Sequence, residues 1–204
     1  MDVSTKQVRV ALVGLALALA FGGGVLVAFL GSDGRLGYTE PRGNPSATPR
    51  PLDDGMGAGF ALAAPGQRRA APGFAFTDKG GRSLHLTDFH GRVVLVNMWA
   101  TWCPPCIAEM PDLDALQQRL GGDRFQVAAV SLDRGGLDQA TRWLERNQLR
   151  ALPPYAADPA QFGNALLPTS LLLDRQGRVA WHGTGLRDWT SAEAEAAIQA
   201  LLAE

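Results

Sequence analysis

The chain carries two cysteines, Cys103 and Cys106, both inside the stretch VVLVNMWATWCPPCIAEMP at residues 93–111. Thiols three positions apart can hold a metal, close a crosslink or exchange electrons. A zinc site needs about four ligands, of which a C-x-x-C pair supplies two. The other candidates, His85, His90 and His182, are scattered and show no ligand spacing, so no metal site is assigned. A structural disulfide here would close a very small loop and constrain the unfolded chain little. Redox exchange remains, with a Cys103–Cys106 disulfide as its oxidised form and no other cofactor required.

That chemistry needs one ionisable sulfur with a second close behind it, and the flanking elements supply both. RVVLVNMWA is a continuous apolar, β-branched run, the pattern of a central strand covered on both faces. PPCIAEMPDLDALQQRLGG reads as a helix that stops at Gly121-Gly122. Strand, short turn and helix place Cys103 at a helix N-terminus, where unpaired N–H groups and the positive end of the dipole favour a thiolate. Cys106 follows one turn later, ready to attack a mixed disulfide on Cys103. Pro104 and Pro105 suit the first turn, whose N–H groups have no helical partner. They also remove two donors that could solvate the thiolate, which predicts a dithiol acting mainly as reductant. Glu109, three positions after Cys106, shares a helix face with it and is a candidate general base. Trp102 is expected to offer an apolar docking face beside Cys103, and Trp99 to be core. Asn97 reads as a strand-end polar residue with satisfied hydrogen bonds.

The chain has 204 residues and a formal net charge of −1. No basic stripe suggests nucleic acid as a partner. Residues 1–9 read as a cytoplasmic N-terminus containing Lys6 and Arg9. Residues 10–30 carry no charge and would span a bilayer as a helix. A cleaved signal peptide is the competing reading of this segment, since Ala18-Leu19-Ala20 fits a small-residue cleavage pattern. Both readings deliver the remainder to an extracytoplasmic compartment. Residues 31–71 are rich in Pro, Gly and small residues and read as a tether, with local packing expected around residues 60–64. Residues 72–204 read as one α/β domain with a mixed sheet. Two strands flank a turn at residues 78–81, FQVAAVSLD is a second buried strand, and TSLLLDRQGRVAWHG forms two strands around a turn at residues 175–177. A helix carries Leu137, Ala140, Trp143 and Leu144 on one face, and a last helix opens with Thr190 and Glu193 at capping-box spacing.

WATWCPPC, with LVNMW before it and Glu109 and Pro111 after it, resembles the TlpA/ResA/CcmG group of membrane-tethered, thioredoxin-fold thiol-disulfide oxidoreductases. The likeness covers roughly residues 72–204. It implies a mixed central sheet flanked by helices, an N-terminal β-hairpin and a central αβ insertion containing the Leu137 helix. LLPTSLLLDRQGRV resembles the segment bearing the cis-proline of thioredoxin folds, which would be Pro168. Leu167 before it would then offer its backbone to an extended client as an added strand. In the resembled group the glutamate corresponding to Glu109 shuttles protons, and Asn97 stands where thioredoxins proper have a buried aspartate. The resemblance implies clients with disulfides, apocytochrome c or copper-site proteins of a terminal oxidase, and a transmembrane thiol relay as reductant. The expected location is the inner membrane, single-pass, with the catalytic domain on the periplasmic side. An oxidising disulfide donor and a copper-binding chaperone using the same thiols are the alternatives.

Overall fold

The computed structural model describes residues 18–21, 24–30, 36–39 and 59–204. The chain divides into two units, residues 1–50 and 51–204. In the first, β1 (Ala18–Phe21), β2 (Gly24–Leu30) and β3 (Leu36–Thr39) form an antiparallel sheet in the order β1-β2-β3. Within the segment expected as a helix over residues 10–30, Ala18–Phe21 and Gly24–Leu30 are strands; residues 10–17, 22 and 23 lie outside the described residues. Three glycines at 22–24 each cost about 1 kcal/mol in a helix, and Val25, Val27 and Phe29 favour extended backbone. Among the described residues no helix is long and apolar enough to cross a membrane. Residues 1–9, most of the tether and the first part of the expected membrane segment lie outside the described residues.

The second unit contains β4 (Arg69–Ala70), β5 (Ala75–Asp78), β6 (Ser83–His85), β7 (Val93–Trp99), α1 (Pro104–Leu120) and β8 (Phe125–Ser131). These are followed by α2 (Gly136–Arg146), β9 (Tyr155–Ala156), β10 (Thr169–Leu173), β11 (Arg178–Thr184) and α3 (Ala192–Ala203). The strands make one mixed sheet in the order β4-β11-β10-β7-β8-β9-β5-β6. Its centre is the parallel pair β7–β8, with β10 antiparallel on the other side of β7. The apolar run of β7 is buried at every position because both faces are covered. Val93, Leu95 and Trp99 join the core that α1, α2 and α3 complete with Met110, Leu113, Leu144 and Ile198. Val94, Val96 and Met98 point into a second cluster with Phe74, Phe76, Phe89 and Tyr155. Trp99 is fully buried, as expected, and packs at a tilt against Trp143 of α2, ring centroids 4.9 Å apart. The hairpin β5–β6, the α2 insertion and the hairpin β10–β11 stand where the sequence placed them.

Two boundaries differ from expectation. The folded unit begins before residue 72: Phe60 packs 5.0 Å from Trp181 and 5.2 Å from Trp189. Gly59 accepts a 3.0 Å bond from the Trp181 indole, and the Ala63 N–H donates to Ala180 at 2.7 Å. β4 extends the sheet along β11, and Arg68 is buried against Asp174 and Glu204 at 3.1 and 2.6 Å. The last helix is capped by Ser191, whose hydroxyl accepts from the Ala194 N–H at 3.2 Å; Thr190 instead bonds Asp188.

Candidate active site

Cys103 is the N-cap of α1, with extended backbone and a side chain that accepts from the Cys106 N–H at 3.3 Å. It forms a disulfide with Cys106, the Cα atoms 5.3 Å apart. Pro104 and Pro105 occupy the first two helical positions, so Cys106 supplies the first N–H able to reach the Cys103 sulfur. Cys103 is 4% exposed and Cys106 is 0% exposed, so Cys103 is the more accessible of the two sulfurs.

The turn before the helix is fixed from outside. The buried carboxylate of Asp133, just past β8, accepts from the Thr101 N–H at 3.0 Å and the Thr101 hydroxyl at 2.8 Å. Ser131 and Gln139 complete its coordination at 2.8 and 3.0 Å. No motif in the sequence marks this clamp, since FQVAAVSLD shows only the pattern of a buried strand.

Glu109 lies on α1 and is fully buried. Asn97 Nδ2 donates to its Oε1 at 2.6 Å, and the Arg187 N–H donates to its Oε2 at 3.2 Å. Burial pushes the carboxyl up from 4.5 to about 7, against the opposing pull of those two hydrogen bonds and the Arg187 charge. The Trp189 indole N–H also favours the anion, at a geometry short of a full hydrogen bond. A group of this pKa takes and returns protons near neutrality. Asn97 is thus not the self-satisfied strand-end residue expected: it touches Glu109 directly and leaves its own Oδ1 buried without a partner. Strand parity held the signal, since residue 97 shares a face with Val93, Leu95 and Trp99 and so looks at α1. Nothing in the sequence flagged Arg187 or Trp189.

Leu167–Pro168 is a cis peptide, as the resemblance implied. Leu167 packs against the core cluster that contains both cysteines, and among the described residues its N–H and C=O make no backbone hydrogen bond. Trp102 is 67% exposed beside Cys103. Two further large apolar side chains stand out of the surface, Leu166 and Leu186, on loops joined by the bond from the Gly185 N–H to the Pro168 carbonyl at 2.8 Å. Among the described residues no group of three His, Cys, Asp or Glu could hold a metal ion.

A strand, a C-x-x-C turn at a helix N-terminus, a cis-proline before an antiparallel strand and a terminal helix define a thioredoxin-like domain with a disulfide between cysteines three positions apart. The redoxin family pattern matches residues 65–198, and the chain belongs to that family. A thiol-disulfide oxidoreductase ResA from Bacillus anthracis is 34% identical over 116 residues, 54% of this chain and 65% of that protein. The chain therefore spans just under two thirds of that relative's length. Among solved structures, the Chlorobium tepidum protein described as thiol:disulfide interchange protein DsbE superposes with a TM-score of 0.55 at 33% identity. That likeness covers 66% of this chain and 96% of that one. A thiol-disulfide oxidoreductase from Bacteroides vulgatus gives a TM-score of 0.55 at 28% identity over 65% and 94% of the two chains. The chain is thus similar to the ResA group in sequence and to DsbE-type proteins in fold.

Proposed function

We propose that this protein is a thiol:disulfide oxidoreductase that works outside the cytoplasm and chiefly reduces disulfides in client proteins. The observation that carries this reading is the Cys103–Cys106 disulfide at the start of α1, with Glu109 buried on the same helix. Reduced Cys103 attacks a client disulfide as a thiolate. The client S–S bond breaks, a Cys103–client bond forms, and the other client sulfur leaves as a thiolate. Glu109, as carboxylate, takes the Cys106 proton. The Cys106 thiolate then attacks the Cys103 sulfur, the mixed bond breaks, and the second client sulfur departs as the internal disulfide forms. Two electrons pass to the client, whose two thiolates take up two protons, one of them available from Glu109.

Pro104 and Pro105 support the reducing direction, because they leave the Cys103 thiolate short of donors. Trp102, Leu166, Leu167 and Leu186 offer apolar contact to a client, and the free Leu167 backbone offers it a strand partner. The uncharged residues 10–30 after Lys6 and Arg9 support export, as anchor or as signal; membrane fractionation distinguishes the two. Reductant outside the cytoplasm has to be delivered across the membrane, so a transmembrane thiol relay is the proposed donor. By the resemblance, apocytochrome c or oxidase copper-site cysteines are the proposed clients.

The test is a trap. In Cys106→Ser, mixed disulfides at Cys103 persist and their partners can be identified. A trap that captures no client during reductive turnover removes this reading. A potential at or above about −120 mV moves the assignment to an oxidant. Copper retained against a thiol competitor, without disulfide reductase activity, moves it to a chaperone.

A further inference from the structure

Asn97 approaches Glu109 from β7, and only half of its amide is used. Nδ2 spends both N–H groups, on Glu109 Oε1 at 2.6 Å and on Ser170 Oγ at 3.0 Å, while Oδ1 is buried with no partner. A buried carbonyl without a donor is costly and calls for a reason. The proton that Glu109 receives supplies one. As an anion Glu109 is well served, because Asn97 and the Arg187 N–H both donate to it. As an acid it becomes a donor itself, and each of its oxygens faces another donor.

Half a turn of the Asn97 amide exchanges Nδ2 and Oδ1, groups of nearly equal size. Oδ1 then accepts the Glu109 O–H. Ser170, donor and acceptor alike, turns its own O–H to the same carbonyl. We propose that Asn97 is a two-way positioning residue, holding Glu109 as an anion through Nδ2 and as an acid through Oδ1, with Ser170 following either orientation. One end of the amide is left unpaired in each state, Oδ1 with the anion and Nδ2 with the acid. The other groups around Glu109 do not reverse in this way. Arg187 and the Trp189 indole favour the anion throughout. On α1, Cys106 lies one turn before it, and Asp112 one turn after, its own carboxyl raised by burial and by the Asp188 charge.

This inference rests on Glu109 being the proton-transfer group, and the experiment separates the two. The oxidised full-length chain has no thiol to titrate, so carbon-detected NMR can follow the glutamate carboxyls alone. A carboxyl titrating near pH 7 is expected, and it vanishes in Glu109→Gln; if it persists there, the proton-transfer reading itself falls. In the unmutated protein the NOE from the Asn97 side-chain N–H to the Ser170 β-protons is expected above the Glu109 midpoint and lost below it. An NOE unchanged through the transition overturns the inference, and this measurement needs no variant to fold. A hydrogen bond to a charged acceptor is stronger than a neutral one, so Asn97→Leu is expected to raise the midpoint by about one pH unit. The pH profile of disulfide exchange should move with it. A midpoint that stays or falls also overturns the inference.

Discussion

Replacing Glu109 by glutamine is expected to flatten the pH dependence of folding stability across a defined window. In the folded protein burial raises this carboxyl to about 7, against 4.5 for the ordinary group. Between those values the native state holds a proton that the unfolded state has released, so stability falls as pH rises. The favourable contribution is complete below about 4.5 and gone above about 7. At about 1.4 kcal/mol per pH unit the shift corresponds to about 3 kcal/mol. Glutamine cannot ionise. Its amide can give its oxygen to the Arg187 N–H and its NH2 to Asn97 Oδ1, and any penalty that remains is the same at every pH and cancels in the comparison. The assay is urea unfolding of the oxidised protein and of the variant at pH 4.5, 6, 7 and 8. The unmutated protein should lose about 3 kcal/mol relative to the variant from the lowest to the highest pH. Parallel curves would show that Glu109 ionises in the fold at its ordinary pKa, and the argument for an internal proton acceptor would go with them.

Arg68→Ala removes a guanidinium whose side chain is 2% exposed and leaves Asp174, at 1%, with one cation fewer. Unfolding should show a loss of about 3–5 kcal/mol, with early proteolysis near residues 59–70. Asp133→Ala strips the acceptor from Thr101, Ser131 and Gln139. It should cost about 2–3 kcal/mol and slow disulfide exchange, read by stopped-flow, because the turn before Cys103 loses its anchor. Trp102→Ala should leave stability within about 0.5 kcal/mol, since the ring is exposed. Its effect should appear in KM for a protein disulfide and not for a small one.

The parts of the site that are close in sequence were readable from it. Cys103, Cys106 and Glu109 sit at fixed offsets on one helix, and the β7 run announces its burial by composition. Asn97 was readable in principle, because strand parity alone sends it toward α1. Arg187 and Trp189 were not: they reach Glu109 from a loop 78 residues away in the case of Arg187, through a backbone N–H and an indole that no motif marks. The packing expected around residues 60–64 is found, Phe60 against Trp181 and Ala63 on Ala180. Composition misled at residues 65–71, where Pro, Gly and Ala suggest a tether: β4 pairs with β11 and Arg68 bonds Glu204. The strands at residues 18–21 and 24–30, inside the apolar run at residues 10–30, show the limit of hydropathy. It measures burial, and the glycines and valines decide between helix and strand.

The division of labour at the disulfide follows from exposure. In the proposed mechanism Cys103, which keeps a sliver of surface, meets the client, whereas Cys106 at 0% exposure has no open path for its thiol proton to water. A buried thiol that must become a nucleophile therefore needs an internal acceptor. An ordinary surface carboxylate, with a pKa near 4.5, would be a poor match for a thiol near 8.5. Raising Glu109 to about 7 narrows that gap by more than half. The same burial makes the ionised form unstable, so the acceptor works only because donors from β7 and from the segment before α3 hold it. On the proposed mechanism, proton transfer is a property of the assembled sheet and its flanking loop, while the C-x-x-C turn alone would provide only the electrons.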